Sequence, residues 1–547
     1  MKNSVLVTVF AASLVFVTGA FAQAADPFGK YPSPITINIG MSIQPTDPLP
    51  QGDTADNNQF TRYLKDTLNL NTVVSWVAAT GKDYDQKVNL SIASGDLPDG
   101  LMIMNTAQLF QMVKAGELAD LTDVYNKYAS PAMKAMMAKT GGKALAGVTF
   151  GGKILAIPSL AVPDDGYHMT WIRKDWLDKL GLKPPKTIAD LEAVAKAFID
   201  KDPGNNGKGN TIGIAGQQNG ARLYADFLNS TNNQFGLDPF FAGFDAYPGY
   251  WLKGKDGHAV YGSITPETKA ALAKLADLYK KGILDQEIGI RKDATESINS
   301  GRAGIYFGNW WSGYWPLPDV IKNHPEANWQ AYAVPVDSKG KYAPHAGTVS
   351  NQYTVIRKGY EHPEAVIKML NLLIRDEGNF DQKNGSMNWY PLRVPMAMFD
   401  ESPVTIKAMN DVLKDPSLIA KYQGPEFAGY KLMKSDVAGI GGTKLKPYDK
   451  TDIQYWNTAD KFWSRGYSYL TGNTAVNSFA FDKVYSLLYY QTKTMETQWA
   501  NLRKLEDETF LKIIYGVAPL DSFDKFVASW KAQGGDTISK EVDAAGK

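Results

Sequence analysis

The residues in this chain best suited to binding chemistry are aromatic rings set among amides and hydroxyls. The densest group is the stretch Asn309-Trp310-Trp311-Ser312-Gly313-Tyr314-Trp315. Aromatic rings cover apolar C–H faces, and a side-chain amide carries a donor and an acceptor side by side. A sugar presents both kinds of surface, so we predict that Asn309, Trp310, Trp311 and Tyr314 contact a carbohydrate. The alternative for these rings is packing within a core or between lobes.

Two further segments, Asn351-Gln352-Tyr353 and Asn388-Trp389-Tyr390, have the same mixture of ring and amide. They supply four more predicted ligand contacts, which are Asn351, Tyr353, Trp389 and Tyr390. Gln44 and Asn105 each follow a predicted strand, and the carboxyl ends of parallel strands are where binding clefts collect polar groups. We include Gln44 and Asn105 among the predicted contacts for that reason.

Signatures of catalysis and of cofactor binding are missing from the sequence. Gly147 to Lys153 (GVTFGGK) nearly matches a phosphate-binding loop, but Ile154 replaces the Ser or Thr that would hold magnesium. The sequence has neither a G-x-S-x-G nor an HExxH motif, and without cysteine it can form no thiolate site. We therefore expect a binding protein, not an enzyme. Surface or hydrogen-bonded structural roles are predicted for the scattered histidines, which are His168, His258, His324, His345 and His362.

The composition is that of an ordinary globular protein with more than one lobe. A single core stops growing at roughly 250–300 residues, and this chain has 547. Apolar residues make up 44% and charged residues 21%, which is close to the average for globular proteins. The net charge of +1 gives no electrostatic reason to expect binding to nucleic acid or to an anionic membrane.

The first residues are typical of an export signal. Lys2 is followed by the apolar run Val5 to Val17, and Ala20-Phe21-Ala22 and Ala22-Gln23-Ala24 offer small-x-small cleavage patterns. We predict a cleaved signal peptide over residues 1–24. Since no cysteine is available to carry a lipid, a freely diffusing periplasmic protein is expected.

Strand and helix patterns alternate in the first part of the chain. Strands are predicted at Ile35–Met41, Asn71–Ala78 and Leu101–Met104, and helices at Asn57–Leu68 and Tyr84–Ala93. This alternation predicts a parallel α/β layer. Further on, Val148–Ile157 is predicted to be a hairpin, and helices are predicted to begin after Thr187 and Thr265.

Several segments resemble the extracellular solute-binding proteins of bacterial ABC importers, in the large branch that serves oligosaccharides and alginate. The similarity rests on six blocks in the expected order between residues 93 and 373. They are ASGDLPD at 93–99, GKILAIP at 152–158, WIRKDWLDKLGL at 171–182, YKKGILDQE at 279–287, SGRAGIYFGNWW at 300–311 and HPEAVIKMLNLL at 362–373. Leu155 stands where the family usually has an aromatic residue.

The resemblance implies a two-lobe α/β fold of the periplasmic type II kind, with a helix-rich C-terminal part and the ligand between the lobes. Crossings are expected near Ile157–Val162, Ala333–Val336 and Val394. One lobe would comprise residues 25–160 and 335–394, and the other 161–334 and 395–547. In this layout Asp165 and Tyr167 face the cleft. The implied partners are a carbohydrate and the permease subunits of the importer, with the binding protein itself a monomer.

Alginate-binding relatives carry a calcium loop that Asp202 to Asn210 (DPGNNGKGN) resembles. Asp202, Asn206 and Gly207 match its pattern, but Gly204 and Asn210 replace ligand residues and no bidentate Glu follows. We predict a Gly/Asn turn, with calcium on Asp202 and Asn206 as the alternative; no other cofactor is expected.

Two rival functions stay open at this point. One is a carrier of peptides or other small solutes with the same fold, and the other is a secreted polysaccharide-degrading enzyme. The carboxylate pair of a glycosidase need not be close in sequence, so the sequence does not exclude it. The sequence also leaves open a sensory role in place of transport.

Overall fold

The computed structural model describes residues 26–545, except 45, 46, 48, 162, 217–222, 229–233, 292–294, 382–384, 428 and 478–481. The predicted signal peptide and Val162, at the end of the first predicted crossing, lie outside the described residues. In the described part, every helix is either too short or too polar to cross a membrane.

The described strands are numbered β1 to β15 in chain order. Their bounds are Ile35–Ile43, Leu70–Ala79, Gly100–Ile103, Thr149–Phe150, Lys153–Ile154, Ile157–Pro158, His168–Arg173, Ile212–Ile214, Trp251–Lys253, Ala259–Tyr261, Ala303–Asn309, Trp329–Tyr332, His345–Ala346, Tyr353–Ile356 and Val484–Tyr485.

The described α-helices are numbered α1 to α21 in the same way. Their bounds are Gln59–Leu68, Lys82–Ser94, Thr106–Ala115, Thr122–Tyr128, Pro131–Lys139, Lys143–Ala146, Lys174–Leu180, Ile188–Lys201, Asp238–Ala242, Pro266–Lys280, Thr295–Asn299, Leu317–Asn323, Glu364–Asp376, Glu401–Lys414, Ile419–Tyr422, Lys431–Ile440, Trp463–Tyr467, Thr474–Asn477, Met495–Ile514, Ser522–Trp530 and Asp536–Ala545. A π-helical stretch, Ser468–Asn473, joins α17 to α18.

The first sheet has the strand order β2-β1-β3-β14-β6. Strands β1, β2 and β3 run parallel, with Ile35 opposite Leu70 and Ile39 opposite Gly100. They alternate with α1 and α2 along the chain, which confirms the predicted parallel α/β layer. Strand β14 lies antiparallel to both β3 and β6, with Tyr353 opposite Ile103.

The second sheet has the order β12-β7-β11-β8. Strand β7 is antiparallel to β11 and β12, whereas β8 is parallel to β11. Along β7, Trp171 belongs to the hydrophobic cluster that includes the inner residues of the first sheet, and Ile172 belongs to a second cluster. Successive strand residues point to opposite faces, so β7 is covered by apolar side chains on both faces.

The chain passes between the two sheets more than once. It leaves the first sheet after β6, returns to it at β14 from β12 of the second sheet, and pairs Leu160 with Met396 in an isolated bridge. These passages lie near the predicted crossings. The exact lobe boundaries stay a prediction, because one hydrophobic cluster includes residues of both sheets, such as Ile37 and Trp329.

The predicted hairpin and the predicted helix start at Thr187 are both present in the structure. The hairpin β4–β5 turns at Gly151 and Gly152, whose φ values of +56° and +77° favour glycine. Helix α8 begins with a capping box, in which the Thr187 hydroxyl accepts from the Asp190 N–H and the Asp190 carboxylate accepts from the Thr187 N–H.

Replacing Thr187 by Ala removes the hydroxyl acceptor at this cap. We expect Thr187→Ala to lower the free energy of unfolding by about 1 kcal/mol, measured by urea denaturation. Thr187→Ser keeps the hydroxyl and should stay close to wild type. Equal stability of the Ala and Ser variants would contradict a stabilising role for this cap.

Candidate functional site

A groove of about 710 Å³ lies at the edge of the first sheet, beside the connections to the second sheet, and we call it the central groove. Its volume is in the range of small-molecule binding sites. Its polar lining includes Asp85, Asn105, Thr106, Asp165, Thr348, Asn351, Gln352 and Gln491, and its aromatic lining Phe227, Tyr485, Tyr489 and Tyr490.

Strand pairing explains why polar side chains meet at the central groove. Asn105 follows the carboxyl end of β3 and caps α3 by accepting from the Ala107 N–H at 2.9 Å. Asn351 and Gln352 precede β14. Because β14 runs antiparallel to β3, its start and the end of β3 lie at the same edge of the sheet.

An adjoining pocket of about 170 Å³ extends the central groove along the first sheet. The two cavities share Met104 and Gln352 as lining residues. Gln44, which follows β1, and Asn388 contribute amides to the adjoining pocket, and Arg393 contributes a cation. The two cavities therefore adjoin at the edge of the first sheet.

Aromatic contacts connect the C-terminal segment to helices next to the first sheet. The ring of Tyr490 stacks on Phe110 of α3, with centroids 4.0 Å apart and an interplanar angle of 25°. The Lys143 ammonium lies 4.4 Å from the centre of the Tyr485 ring. The Tyr489 hydroxyl donates to the Ala346 carbonyl at 2.6 Å. Tyr489 therefore has a structural bond, whereas Tyr485 and Tyr490 present half-buried rings at the groove.

A side pocket of about 220 Å³ lies next to the central groove and shares Asp165 with it. Trp310, Trp311 and Tyr314 line this side pocket, so part of the predicted Asn309–Trp315 segment does reach a cavity. The remaining lining residues include Glu401, Arg465 and Tyr469, which come from α14, α17 and the π-helical stretch.

Hydrogen bonds to Asp165 hold the Asn309–Trp311 segment in place. The Asn309 amide donates to the Asp165 carbonyl at 2.8 Å, and the Trp311 indole donates to the same carbonyl at 3.2 Å. The Trp310 indole donates to the Asp165 carboxylate at 3.1 Å. Gly472 lets the π-helical stretch pack here, since a Cβ on it would lie 2.1 Å from the Trp310 carbonyl oxygen.

Burial decides which ring of this segment can be tested by substitution. The sequence predicted that both Trp310 and Trp311 contact a carbohydrate, with packing as the alternative for these rings. Trp310 is only 4% exposed and packs on Tyr469 at 4.7 Å between centroids. Truncating a buried Trp typically costs about 3–5 kcal/mol, so Trp310→Ala does not separate binding from folding. Trp311 is partly exposed and is the better probe.

The other predicted contacts divide into groove residues and core residues. Gln44, Asn105, Asp165 and Asn351 line the cavities described above. Tyr390 borders the adjoining pocket but is buried, and its hydroxyl donates to the Met369 carbonyl at 2.7 Å.

Four of the predicted contacts are outside the described cavity linings. Asn309, Tyr167 and Tyr353 are buried, and Trp389 is half-buried against the core. The Tyr353 hydroxyl donates to the Ser350 carbonyl at 3.1 Å. Which of the predicted residues contact a ligand stays a prediction.

The aromatic residues of the groove that were not predicted from the sequence are Phe227, Tyr485, Tyr489 and Tyr490. The Tyr489-Tyr490 pair beside Gln491 carried the same ring-and-amide signal as the segments that were selected. Phe227 carried no such signal, because only the tertiary fold brings its ring to the central groove.

Burial shifts the ionisation of two carboxyl groups at the side pocket. It raises the pKa of Asp165 to about 6, while the hydrogen bond from Trp310 opposes the shift. It raises the pKa of Glu401 to about 7, although the N–H groups of Met433 and Leu432 favour the carboxylate. The Arg465 guanidinium also pairs with Asp436, with 2.7 Å between Nη2 and Oδ2.

The loop at Asp202 does not fit a calcium ion. The Asp202 carboxylate already accepts from the Asn206 N–H at 2.9 Å, the Gly207 N–H at 2.8 Å and the Thr211 hydroxyl at 2.7 Å. The Asn206 amide donates to Thr211, and a Cβ on Gly204 would lie 2.5 Å from the Trp176 ring. The loop is therefore closed on itself as a turn, and residue 204 has no room for a ligand side chain.

Comparison with known proteins identifies the class to which this fold and groove belong. The family model for bacterial extracellular solute-binding proteins matches residues 51–380, and the chain belongs to this family. The predicted family and the predicted α/β fold class are thereby confirmed.

Among curated proteins, the chain is similar to the fructooligosaccharide ABC transporter substrate-binding protein FusA of Streptococcus pneumoniae serotype 4. The two are 30% identical over 242 residues, which is 41% of this chain and 42% of FusA. It is also similar to the polygalacturonan/rhamnogalacturonan-binding protein YtcQ of Bacillus subtilis, at 27% identity over 43% of each chain. The chain thus spans about two-fifths of the length of these relatives.

Two solved structures have the same fold over nearly their whole length. Alginate-binding protein AlgQ2 is 19% identical with a TM-score of 0.55, and the match covers 95% of this chain and 99% of AlgQ2. An HMO-binding, ABC-transporter-associated solute-binding protein from Bifidobacterium longum infantis is 15% identical with a TM-score of 0.58, covering 94% and 98%. At these identities the likeness establishes the fold alone.

The raised pKa of Glu401 predicts a dependence of stability on pH. The folded chain holds this proton more tightly than the unfolded chain, so stability is full below the usual pKa of 4.5 and is lost as the pH rises through about 7. Glu401→Gln keeps an acceptor for the N–H groups of Leu432 and Met433. Between about pH 5 and about pH 8, the ionisation of Glu401 should lower the unfolding free energy of wild type by up to about 3 kcal/mol. Glu401→Gln should not show this part of the decrease.

Urea denaturation at both pH values measures this effect. Glu361→Gln changes an exposed glutamate by the same substitution and should keep the pH dependence of wild type. An unchanged pH dependence in Glu401→Gln would show that Glu401 is not held in its neutral form.

Proposed function

We propose that this protein captures an oligosaccharide in the central groove and delivers it to the permease of an ABC importer. The observation that carries the proposal is the lining of the groove, which combines amides and hydroxyls with aromatic rings. Sugars need both, because their C–H faces stack on rings while their hydroxyls exchange hydrogen bonds with amides. A sugar-binding role also agrees with the relatives FusA, which is a fructooligosaccharide transporter substrate-binding protein, and YtcQ, which is a polygalacturonan/rhamnogalacturonan-binding protein.

The charges along the central groove favour an uncharged sugar. Its charged lining residues are two carboxylates, Asp85 and Asp165, which would repel an anionic glycan. The cation of the adjoining pocket, Arg393, donates to Glu377 at 3.2 Å, so its charge is already partly compensated. We therefore assign a neutral oligosaccharide in preference to an acidic one.

Segments at the edge of the first sheet, such as Asn105 and Asn351, line the groove together with Phe227 and Tyr490 from outside that sheet, and a groove lined from separate parts of the chain suits capture by closure. A ligand that contacts both sides binds the closed arrangement more tightly than the open one. This difference in affinity shifts the population toward the closed arrangement. Family membership supports a location outside the cytoplasm, and we propose the periplasm. In this proposal the groove binds the glycan without cleaving it.

A thermal-shift screen tests the proposed ligand class. A sugar that binds only the folded chain raises the melting temperature by mass action. We expect neutral oligosaccharides to raise the melting temperature, whereas acidic oligogalacturonates and peptides leave it unchanged. A response to acidic glycans or peptides alone would overturn the assignment. New reducing ends after incubation would show that the protein is a hydrolase.

Substitution of Tyr490 tests whether its ring stacks on the sugar. Loss of its ring in Tyr490→Ala should weaken sugar binding about tenfold, which corresponds to a stacking contribution of about 1–1.5 kcal/mol. Tyr490→Phe keeps the ring and should bind within about threefold of wild type. Isothermal titration calorimetry with a sugar from the screen measures both.

Two controls make this result specific. Tyr448→Ala removes an exposed Tyr that does not line the groove and should bind normally. Phe110→Ala removes the stacking partner of Tyr490 but leaves the Tyr490 ring in place. If Phe110→Ala weakens binding as much as Tyr490→Ala, the contact between these rings matters and the ring of Tyr490 is not itself a platform for sugar.

A further inference from the structure

Three polar side chains far apart in the sequence meet behind the central groove. His168 begins β7, Asp238 is the first residue of α9 and His345 lies in β13. His168 Nδ1 is 3.2 Å from Asp238 Oδ2, and His345 Nδ1 is 3.4 Å from Asp238 Oδ1. One ligand atom from each of the three residues lies within 4.8 Å of the others. The sequence had suggested only surface or ordinary structural roles for these histidines.

The cluster is buried and incompletely hydrogen-bonded. His168, Asp238 and His345 are 0%, 7% and 5% exposed. Asp238 Oδ1 accepts from the Ala225 N–H at 2.8 Å. Within the described residues, Asp238 Oδ2, both ring nitrogens of His168 and Nε2 of His345 lack a partner with hydrogen-bond geometry, although His168 Nδ1 and Asp238 Oδ2 are only 3.2 Å apart. Burying polar atoms without partners is costly, so a cluster of this kind needs an explanation.

The distances suit a small divalent metal. Zinc binds imidazole nitrogen at about 2.0–2.1 Å and carboxylate oxygen at about 2.0–2.2 Å, which places ligand atoms roughly 3.4 Å apart in a tetrahedron. The two N···O distances of 3.2 and 3.4 Å, which run to different oxygens of Asp238, are close to that separation. A cavity of about 10 Å³ borders Asp238 and His345, which is enough for about one water as a fourth ligand.

We infer that His168, Asp238 and His345 form a zinc-binding site. Two imidazoles and a carboxylate are a ligand set that zinc favours over calcium or magnesium. The bound metal would link β7 of the second sheet to β13, just before the groove residues Gly347 to Gln352. Its role would be to hold that segment in position, and the inference does not depend on the identity of the sugar.

Metal binding by the tag-free protein tests the inference. After chelator treatment and dialysis against Zn²⁺, we expect about one zinc per chain by elemental analysis and a higher melting temperature than in the metal-free protein. Co²⁺ in place of zinc should give the intense visible absorption of a tetrahedral site. A weak octahedral Co²⁺ spectrum together with no retained zinc would overturn the inference without any variant.

Substitutions then locate the site. His345→Gln and Asp238→Asn each remove one ligand with little change in volume, and each should weaken zinc binding by more than about 100-fold, since even outer-shell changes cost about 10- to 100-fold. His258→Gln is the matched control, because His258 is exposed and pairs with Asp543 at 2.9 Å. Retained zinc affinity in folded His345→Gln and Asp238→Asn, with loss in His258→Gln, would assign the metal to the surface instead.

Discussion

The arrangement of the binding region depends on one strand pairing, that of β14 with β3. The chain leaves the first sheet after β6, builds the second sheet, and then returns to place Tyr353–Ile356 antiparallel to Gly100–Ile103. Antiparallel pairing puts the start of one strand beside the end of the other. The amides before β14 therefore lie beside those after β3, and residues of the connections between the sheets, such as Asp165 and Thr348, also line the groove.

A second constraint is the hydrogen bonding around Asp165. This residue lies in the first passage between the sheets, and its carbonyl and carboxylate accept from Asn309, Trp310 and Trp311. These bonds satisfy buried indole and amide groups, which would otherwise lose free energy on leaving water. They also hold Asp165 where it lines both the central groove and the side pocket. A polar network at this passage therefore lies between the two cavities.

The fold changes the interpretation of two candidate metal sites in opposite directions. The Asp202 loop has a metal-like sequence, but its carboxylate is already satisfied by neighbouring N–H and hydroxyl donors. His168, Asp238 and His345 have no recognisable spacing in the sequence. They nevertheless meet in the interior, where some of their polar atoms have no hydrogen-bond partner among the described residues. Local sequence patterns therefore predict the conformation of a loop. A cluster of side chains from distant segments cannot be predicted in this way, because it depends on how whole helices and strands pack.

The sequence alone determined the features that rest on local chemistry. The alternation of α1 and α2 with β1 to β3, the Gly151-Gly152 turn and the capping box at Thr187 follow from apolar periodicity and from the conformations that Gly and Thr prefer. Six ordered motifs also determined the family. The tertiary structure alone decided that Trp310 is core, that Tyr490 faces the groove, and that His168 and His345 share Asp238. Burial and proximity between distant segments depend on how the two sheets and the C-terminal helices pack, and no short stretch of sequence contains that information.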